Sequence, residues 1–220
     1  MKENLTELVA ILDRSGSMQG LTAETIAGYN KFLAEQKELP GEANLTTILF
    51  DDRYEVLHEG VPLREIRFIT EREYYTRGST ALLDALGKTI NAVGAKLAQT
   101  QEEERPGKVL FLVITDGYEN ASREFTAEQI RQMVEHQREK YKWEFLFLGA
   151  NIDAFATASS MGIAHAYNYT ADKIRTGIIY SALSCATRSF RKCANLYEDE
   201  TFDALMKEAY VGPKDKKQKK

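Results

Sequence analysis

Short apolar runs alternate along this chain with longer stretches in which apolar residues recur every three or four positions. The short runs at residues 8–12, 109–114 and 145–148 are continuous, and residues 45–50 resemble them. Continuous apolar runs of this length are typical of strands that are buried on both faces of a parallel sheet. We therefore predict that these four segments are strands of one mostly parallel sheet.

The longer stretches predict helices, because their apolar residues fall on one face at helical spacing. One helix is predicted around residues 26–33, and another begins at Thr126, where residues 126–129 have the form of a capping box. A long helix is predicted over residues 170–196 and a short one over residues 201–210. The clearest apolar stripe recurs at spacings of four and three residues, at Leu82, Leu86, Ile90, Val93 and Leu97.

One segment departs from the alternation of strand and helix. Residues 45–50 are followed by the polar residues 51–53 and then by residues 54–58, a pattern that predicts a hairpin with one antiparallel strand. The chain as a whole then predicts one open α/β sheet with helices on both faces. The apolar positions of the predicted long C-terminal helix include Ile174, Ile178, Leu183 and Phe190.

The composition is that of a globular domain. Of 220 residues, 43% are hydrophobic and 28% are charged, which is ordinary for a soluble protein. No apolar run approaches the roughly 20 residues that span a bilayer, and the first residues lack a secretory signal. We therefore expect a cytoplasmic protein. Cys185 and Cys193 lie eight residues apart in the predicted long helix, too far for a disulfide, so we expect free thiols.

The charge is unevenly divided along the chain. The 29 Lys and Arg residues against 33 Asp and Glu residues give a net charge of −4. Residues 211–220 contain five lysines and one aspartate, so this tail carries +4 and the rest of the chain carries −8. We expect the tail to be disordered. An acidic body argues against a general nucleic-acid-binding protein, because affinity for nucleic acid depends largely on basic charge.

Small oxygen-bearing side chains lie at the ends of two predicted strands and at the start of one predicted helix. Asp13, Ser15 and Ser17 follow the first strand, Asp116 follows the run at 109–114, and Thr80 directly precedes the helix predicted to begin at Ala81. Ligands of open α/β sheets bind beyond the carboxyl ends of the strands, so we expect these residues to meet. Carboxylate and hydroxyl oxygens, with no Cys or His among them, indicate a hard cation such as Mg²⁺.

These motifs resemble the metal-ion-dependent adhesion site (MIDAS) of the von Willebrand factor A domain. The Asp-x-Ser-x-Ser sequence at residues 13–17, Thr80 in Gly-Ser-Thr and Asp116 in Thr-Asp-Gly match the residue types of that site in order. Taken singly, Thr80 could be a helix cap and Asp116 part of an ordinary turn. The resemblance covers about residues 5–150 and extends more loosely to about residue 196.

The resemblance implies a particular organisation of the chain. Residues 1–196 would form a Rossmann-like, doubly wound α/β domain with a mostly parallel sheet, one antiparallel edge strand and helices on both faces. Residues 197–210 would be a helical extension, followed by the disordered Lys-rich tail at 211–220. The protein would be similar to stand-alone prokaryotic or phage members of the family.

The resemblance also implies a metal and a kind of partner. Ser15, Ser17 and in some members Thr80 would bind the metal directly, whereas Asp13 and Asp116 would often act through water. A dication with mostly neutral direct ligands remains electrophilic and favours a carboxylate. We therefore expect a non-enzymatic, Mg²⁺-dependent module whose protein partner presents an Asp or Glu. Mn²⁺ and Ca²⁺ are the alternative ions, and an AAA+ ATPase system is one candidate partner.

Two other classes of function stay open. A metal-dependent hydrolase is the weaker one, because the sequence has no G-x-S-x-G elbow and no phosphate loop, and no pattern marks His58, His136 or His165 as a base. A nucleic-acid-associated scaffold would use the tail and a basic, aromatic end of the long helix, although a solvated helix face is the simpler interpretation. The residues concerned are Arg188, Arg191, Lys192, Tyr180, Phe190 and Tyr197.

Overall fold

The computed structural model describes residues 1–150, 152–194 and 200–210. The strands are β1 (Lys2–Asp13), β2 (Glu42–Phe50), β3 (Tyr54–Pro62), β4 (Pro106–Thr115), β5 (Glu144–Ala150) and β6 (His165–Tyr169). The helices are α1 (Thr22–Lys37), α2 (Leu82–Gln99), α3 (Ala127–Tyr141), α4 (Ala154–Ser160), α5 (Lys173–Cys193) and α6 (Glu200–Ala209). A short 3-10 helix, Gly16–Gly20, directly follows β1.

The strands form one sheet in the order β3-β2-β1-β4-β5-β6. Every pair of neighbours is parallel except β2 and β3, so β3 is an antiparallel edge strand. The predicted doubly wound α/β architecture is therefore confirmed. The chain builds outward from β1 in both directions, with β2 on one side and β4 on the other, which makes the carboxyl ends of β1 and β4 the switch point where such sheets bind ligands.

Both faces of strand β1 are buried, which explains its continuous apolar run. Leu8 and Leu12 point into a core that α1, α5 and α6 cover. Val9 and Ile11 point into a second core, on the opposite face, that α2, α3 and α4 cover. A strand in this position has no solvent-facing side and needs no polar alternation.

The C-terminal region differs in detail from the sequence prediction. Helix α4 and strand β6 were not predicted, and the long helix begins at Lys173 rather than at residue 170. Asp172 sets this start, because its side chain accepts the backbone N–H of Arg175 at 2.8 Å. Ile174 then lies in the first turn and is 77% exposed, so this apolar position lies outside the core.

Other sequence predictions for this region are confirmed. The capping box at Thr126 and the last short helix are present, and Cys185 and Cys193 carry thiols rather than a shared disulfide. In the described part of the chain, every helix is too short or too polar to cross a membrane. The predicted boundary at residues 196 and 197 and the Lys-rich tail lie outside the described residues.

Candidate metal site

The five predicted ligands lie on three segments at the carboxyl edge of the sheet. Asp13 is the last residue of β1, Asp116 directly follows β4, and Thr80 lies two residues before α2. A hydrogen bond joins the segment after β1 to the segment after β4, because the Ser17 hydroxyl donates to Asp116 Oδ1 at 2.5 Å. Within the segment after β1, the Oγ atoms of Ser15 and Ser17 are 3.0 Å apart.

Thr80 joins this group across Gly117. A Cβ atom built on Gly117 would lie 2.8 Å from Thr80 Oγ1, 3.2 Å from Ser17 Oγ and 3.5 Å from Ser15 Oγ. The three hydroxyl oxygens therefore face the same small space in front of the bare Cα of Gly117. Any larger residue at this position would fill that space, so Gly117 is part of the site.

Asp13 organises the first segment through its own hydrogen bonds. Its Oδ1 accepts the backbone N–H of Ser15 at 2.7 Å, and its Oδ2 accepts the hydroxyl of Thr115 at 2.5 Å. Its carbonyl oxygen accepts the hydroxyl of the buried Tyr74 at 2.6 Å. Through these two acceptor oxygens, Asp13 holds the backbone at Ser15 and connects it to the end of β4.

Burial makes both carboxyl groups of the site harder to ionise than exposed carboxyl groups. Burial raises the pKa of Asp13 to about 6, although hydrogen bonds from Thr115 and Ser15 oppose the shift. Burial also raises the pKa of Asp116 above its ordinary value, and the bond from Ser17 partly offsets this. A nearby cation favours the charged form of a carboxyl group, so a bound metal would remove the penalty for burying both groups.

The segment that carries Thr80 is tied to the loop that follows β4. The backbone N–H of Thr80 donates to Asn120 Oδ1 at 2.9 Å, and its carbonyl oxygen accepts the N–H groups of Asn120 and Ala121 at 3.0 and 3.2 Å. In the same loop, Glu119 accepts the N–H of Leu83 in the first turn of α2 at 3.0 Å. The loop therefore fixes Thr80 relative to Asp116.

The donor set suits a small hard cation. Among residues 1–150, 152–194 and 200–210, no group of three or more His, Cys, Asp or Glu side chains could hold a metal ion. The candidate site instead combines three converging hydroxyls with two carboxylates, which is the chemistry of Mg²⁺ and related ions. The residues present fit such a metal.

Sequence reasoning missed the residues that support these ligands. Thr115 precedes Asp116 in Thr-Asp-Gly, and its position at the end of a predicted strand is the one sequence signal for its contact with Asp13. Tyr74 and Asn120 contact residues 61 and 40 positions away, and nothing in their local sequence marks them.

At the basic end of α5, Arg188 and Lys192 are exposed, whereas Arg191 and the aromatic residues Tyr180 and Phe190 form internal contacts. Tyr180 and Phe190 are buried in the core. Arg191 donates to the carbonyl oxygen of Gln36 at 2.6 Å and to that of Pro40 at 3.4 Å, at the end of α1. These aromatic rings are therefore not available for stacking on nucleic-acid bases.

No protein-family model matches this sequence, and no curated protein sequence matches it. Solved structures do resemble it. A von Willebrand factor type A protein from Catenulispora acidiphila aligns with a TM-score of 0.57 at 12% identity, over 85% of this chain and 43% of that protein.

Two further solved structures hold a metal. Proximal thread matrix protein 1 from the mussel byssus, with a zinc-occupied MIDAS motif, aligns with a TM-score of 0.56 at 13% identity, over 81% of this chain and 44% of its own. The manganese-loaded TRAP protein of Plasmodium vivax aligns with a TM-score of 0.52 at 16% identity, over 79% of this chain and 71% of its own.

The present chain spans less than half the length of the Catenulispora and mussel proteins. At identities this low, the structural alignments establish similarity of fold alone. Together with the sheet order and the single antiparallel edge strand, these alignments establish that the chain has the von Willebrand factor A fold.

Proposed function

We propose that this protein is a Mg²⁺-dependent protein-interaction module that binds an Asp or Glu side chain of its partner. The observation that carries the proposal is the convergence of three hydroxyl oxygens over Gly117 beside two buried carboxyl groups. The resemblance of the fold to a zinc-occupied and a manganese-loaded protein supports a divalent ion at this position.

Each ligand would have a separate part in holding the ion. Ser15, Ser17 and Thr80 would supply neutral oxygen ligands. Asp116 would balance the charge while it accepts the hydroxyl of Ser17, and Asp13 would hold the first segment in shape. The bound Mg²⁺ would supply an electrophilic coordination position that a carboxylate can occupy.

The charge of the chain makes the metal the main source of attraction for such a partner. Residues 1–210 carry a net charge of −8, so long-range electrostatics repel an acidic segment. Neutral hydroxyl ligands leave most of the charge of the ion available at short range. The partner would therefore bind only when the metal is present.

The test is selection from a phage-displayed library of random peptides on immobilised protein in Mg²⁺, with elution by EDTA. The selected peptides are expected to share an Asp or Glu. Changing that residue to Asn or Gln in a synthetic peptide should abolish binding, as should EDTA. Peptides that share no acidic residue, or that bind equally in EDTA, would contradict the proposal.

A matched pair of variants separates the site from the rest of the protein. Thr80→Ala removes one of the converging hydroxyls at the start of α2, whereas Thr100→Ala removes a hydroxyl that donates to the Lys96 carbonyl at the opposite end of the same helix. Thr80→Ala should lower peptide binding, and Thr100→Ala should leave it unchanged. Equal effects of the two changes would dissociate peptide binding from the candidate metal site.

A further inference from the structure

A partly buried ion cluster adjoins the segments that form the candidate metal site. Arg14 and Asp51 are both fully buried, and Arg14 Nε donates to Asp51 Oδ2 at 3.0 Å. Arg77 Nε donates to the same oxygen at 2.7 Å, and Glu55 Oε2 accepts Arg14 Nη2 at 2.6 Å. The ring of Tyr75 lies 5.3 Å from each of the two guanidinium groups. Asp51 is thus the acceptor that two arginines share.

The two arginines belong to the two segments that carry the hydroxyl ligands. Arg14 lies between Asp13 and Ser15, whereas Arg77 lies three residues before Thr80. One carboxylate therefore connects the Asp-x-Ser-x-Ser loop to the Thr80 segment. The turn after β2 is fixed at the same time, because Asp51 Oδ1 accepts the backbone N–H of Arg53 at 2.7 Å.

Backbone hydrogen bonds run along this connection. The N–H of Arg77 donates to the Arg14 carbonyl at 2.9 Å, and the N–H of Gly16 donates to the Gly78 carbonyl at 3.1 Å. The N–H of Ala81, the residue after Thr80, donates to the carbonyl oxygen of Asp51 at 2.9 Å. Asp51 therefore contacts the Thr80 segment through both its side chain and its backbone.

Stability alone is a weak reason for such a cluster. Buried ion pairs are often no more stabilising than apolar residues of the same volume. Here Nη1 of Arg14 is also buried without a hydrogen-bond partner among the described residues, and an unpaired buried donor is unfavourable. Residues that do not bind a metal but hold its ligands in place commonly affect metal affinity. Such a role would explain the presence of the cluster beside the site.

We infer that Asp51 is a positioning residue of the metal site. It holds the Thr80 segment against the Asp13–Ser17 loop, so that the three hydroxyls face one ion before the ion binds. This inference rests on the proposed metal-binding function. It assigns a role to Asp51, Arg14 and Arg77, none of which supplies one of the three hydroxyl ligands.

The first test compares Asp51→Asn with Asp52→Asn by isothermal titration calorimetry with Mn²⁺ and then Mg²⁺. Both changes remove one negative charge from the same turn, but Asp52 is exposed and pairs with neither Arg14 nor Arg77. The Asp52 side chain lies beside Gly78, and the isosteric Asn keeps that contact. Asp51→Asn should weaken metal binding by about 10- to 100-fold, as for other outer-shell partners, and Asp52→Asn by much less. Equal losses in the two variants would overturn the inference.

A second variant guards against unfolding, since breaking a buried ion pair is strongly destabilising. Arg77 has a side chain that is 29% exposed, and Arg77→Gln removes its bond to Asp51 while the Arg14–Asp51 pair is kept. It should weaken metal binding in the same direction while the circular dichroism spectrum stays that of the wild type. Wild-type metal affinity in a folded Arg77→Gln variant would overturn the inference.

A double-mutant cycle separates positioning from simple electrostatics. If Asp51 acts through Thr80, Asp51→Asn should add little to the loss already caused by Thr80→Ala, because the two changes are coupled. If it acts only through its charge, the two losses should multiply, and that result would overturn the inference.

Amide exchange in the metal-free protein provides a readout that does not need the ion. Asp51→Asn should speed exchange of the Gly16, Arg77 and Ala81 amides by about tenfold through local opening, while amides of β1 and β4 keep their rates. Unchanged rates at these three amides would overturn the inference. Failure of the wild type to bind Mn²⁺ or Mg²⁺ would contradict the proposed function instead, and the exchange rates would still decide whether Asp51 holds the segments together.

Discussion

The two sides of the candidate metal site are held in place by different kinds of structure. On the sheet side, Asp13 and Asp116 extend from β1 and β4, which pair in parallel up to Leu12 and Ile114. On the loop side, Thr80 lies near the end of an irregular segment, residues 66–81, that contains neither strand nor helix. The first part of this segment is anchored by the buried side chains of Ile66, Ile69 and Tyr74. The part next to Thr80 is held by specific hydrogen bonds, among them those to Asp51 and Asn120.

The difference has a consequence for how the site responds to change. A parallel ladder fixes the sheet side through many backbone bonds, so single substitutions nearby should leave its geometry intact. The loop side depends on a small number of side chains, and each one should have a measurable share in metal affinity. Substitutions can therefore be ranked by which side they alter and by how directly they alter it.

The largest effect is expected at Gly117, where the two sides meet. Gly117→Ala places a Cβ 2.8 Å from Thr80 Oγ1, closer than such atoms can lie, so the Thr80 hydroxyl must move away from its position beside the serines. Metal affinity should fall by more than about 100-fold, beyond the loss typical of outer-shell partners. Titration calorimetry with Mn²⁺ measures this loss.

Gly20→Ala is the matched control for this change. It lies at the end of the neighbouring 3-10 helix, and a Cβ there meets no atom within 4 Å. It should bind Mn²⁺ as the wild type does. If Gly117→Ala and Gly20→Ala bind equally well, the space in front of Gly117 is not where the metal lies.

A smaller loss is expected when the loop side keeps its place but loses its ligand. Thr80→Ala removes the hydroxyl and should weaken Mn²⁺ binding by about 10- to 100-fold, the range in which single groups around a metal act. Thr80→Ser keeps the oxygen and should stay within about threefold of the wild type. A Thr80→Ser variant as weak as Thr80→Ala would mean that the methyl group, rather than the hydroxyl, is what matters.

The sheet side was also the part that sequence patterns predict well. Strands β1 and β4 are buried on both faces, so their apolar runs identify them without knowledge of the fold. Helix α4 and strand β6 were missed for the opposite reason. The sequence of α4 consists mainly of Ala, Ser and Thr, and that of β6, His-Ala-Tyr-Asn-Tyr, has no strong apolar alternation. Contacts with neighbouring elements, rather than local pattern, decide their structure.

The same division applies to the site. Asp13, Ser15 and Ser17 are two residues apart and follow a recognisable strand, so their grouping can be predicted from the sequence. Asp51 and Asn120 are 26 and 40 residues from their partners Arg77 and Thr80. Such pairs come together only through the sheet order, which the chain alone does not state. Ligands could be predicted here, whereas the groups that hold them could not.

A still smaller loss is expected at Asn120, which supports Thr80 without facing the metal. Asn120→Ala removes the acceptor of the Thr80 N–H but leaves the two backbone bonds to the Thr80 carbonyl. Mn²⁺ affinity should fall by about tenfold, at the lower end of the range for outer-shell groups. Asn120→Asp keeps the acceptor oxygen and should bind more tightly than Asn120→Ala; the reverse order would show that this hydrogen bond does not support the site.

The smallest expected effect is that of the metal on overall stability. The sheet side is complete without an ion, so chelation with EDTA should leave the protein folded, and Mg²⁺ should act only as a ligand of the native state. At three times its Kd, Mg²⁺ should add about 0.8 kcal/mol to the free energy of unfolding, which for a chain of this size raises the Tm by about 2–3 °C. Differential scanning calorimetry measures this shift, and Gly117→Ala should show none at the same Mg²⁺ concentration. If EDTA instead unfolds the wild type, the ion is a structural component of the sheet side, and the proposed difference between the sheet side and the loop side is wrong.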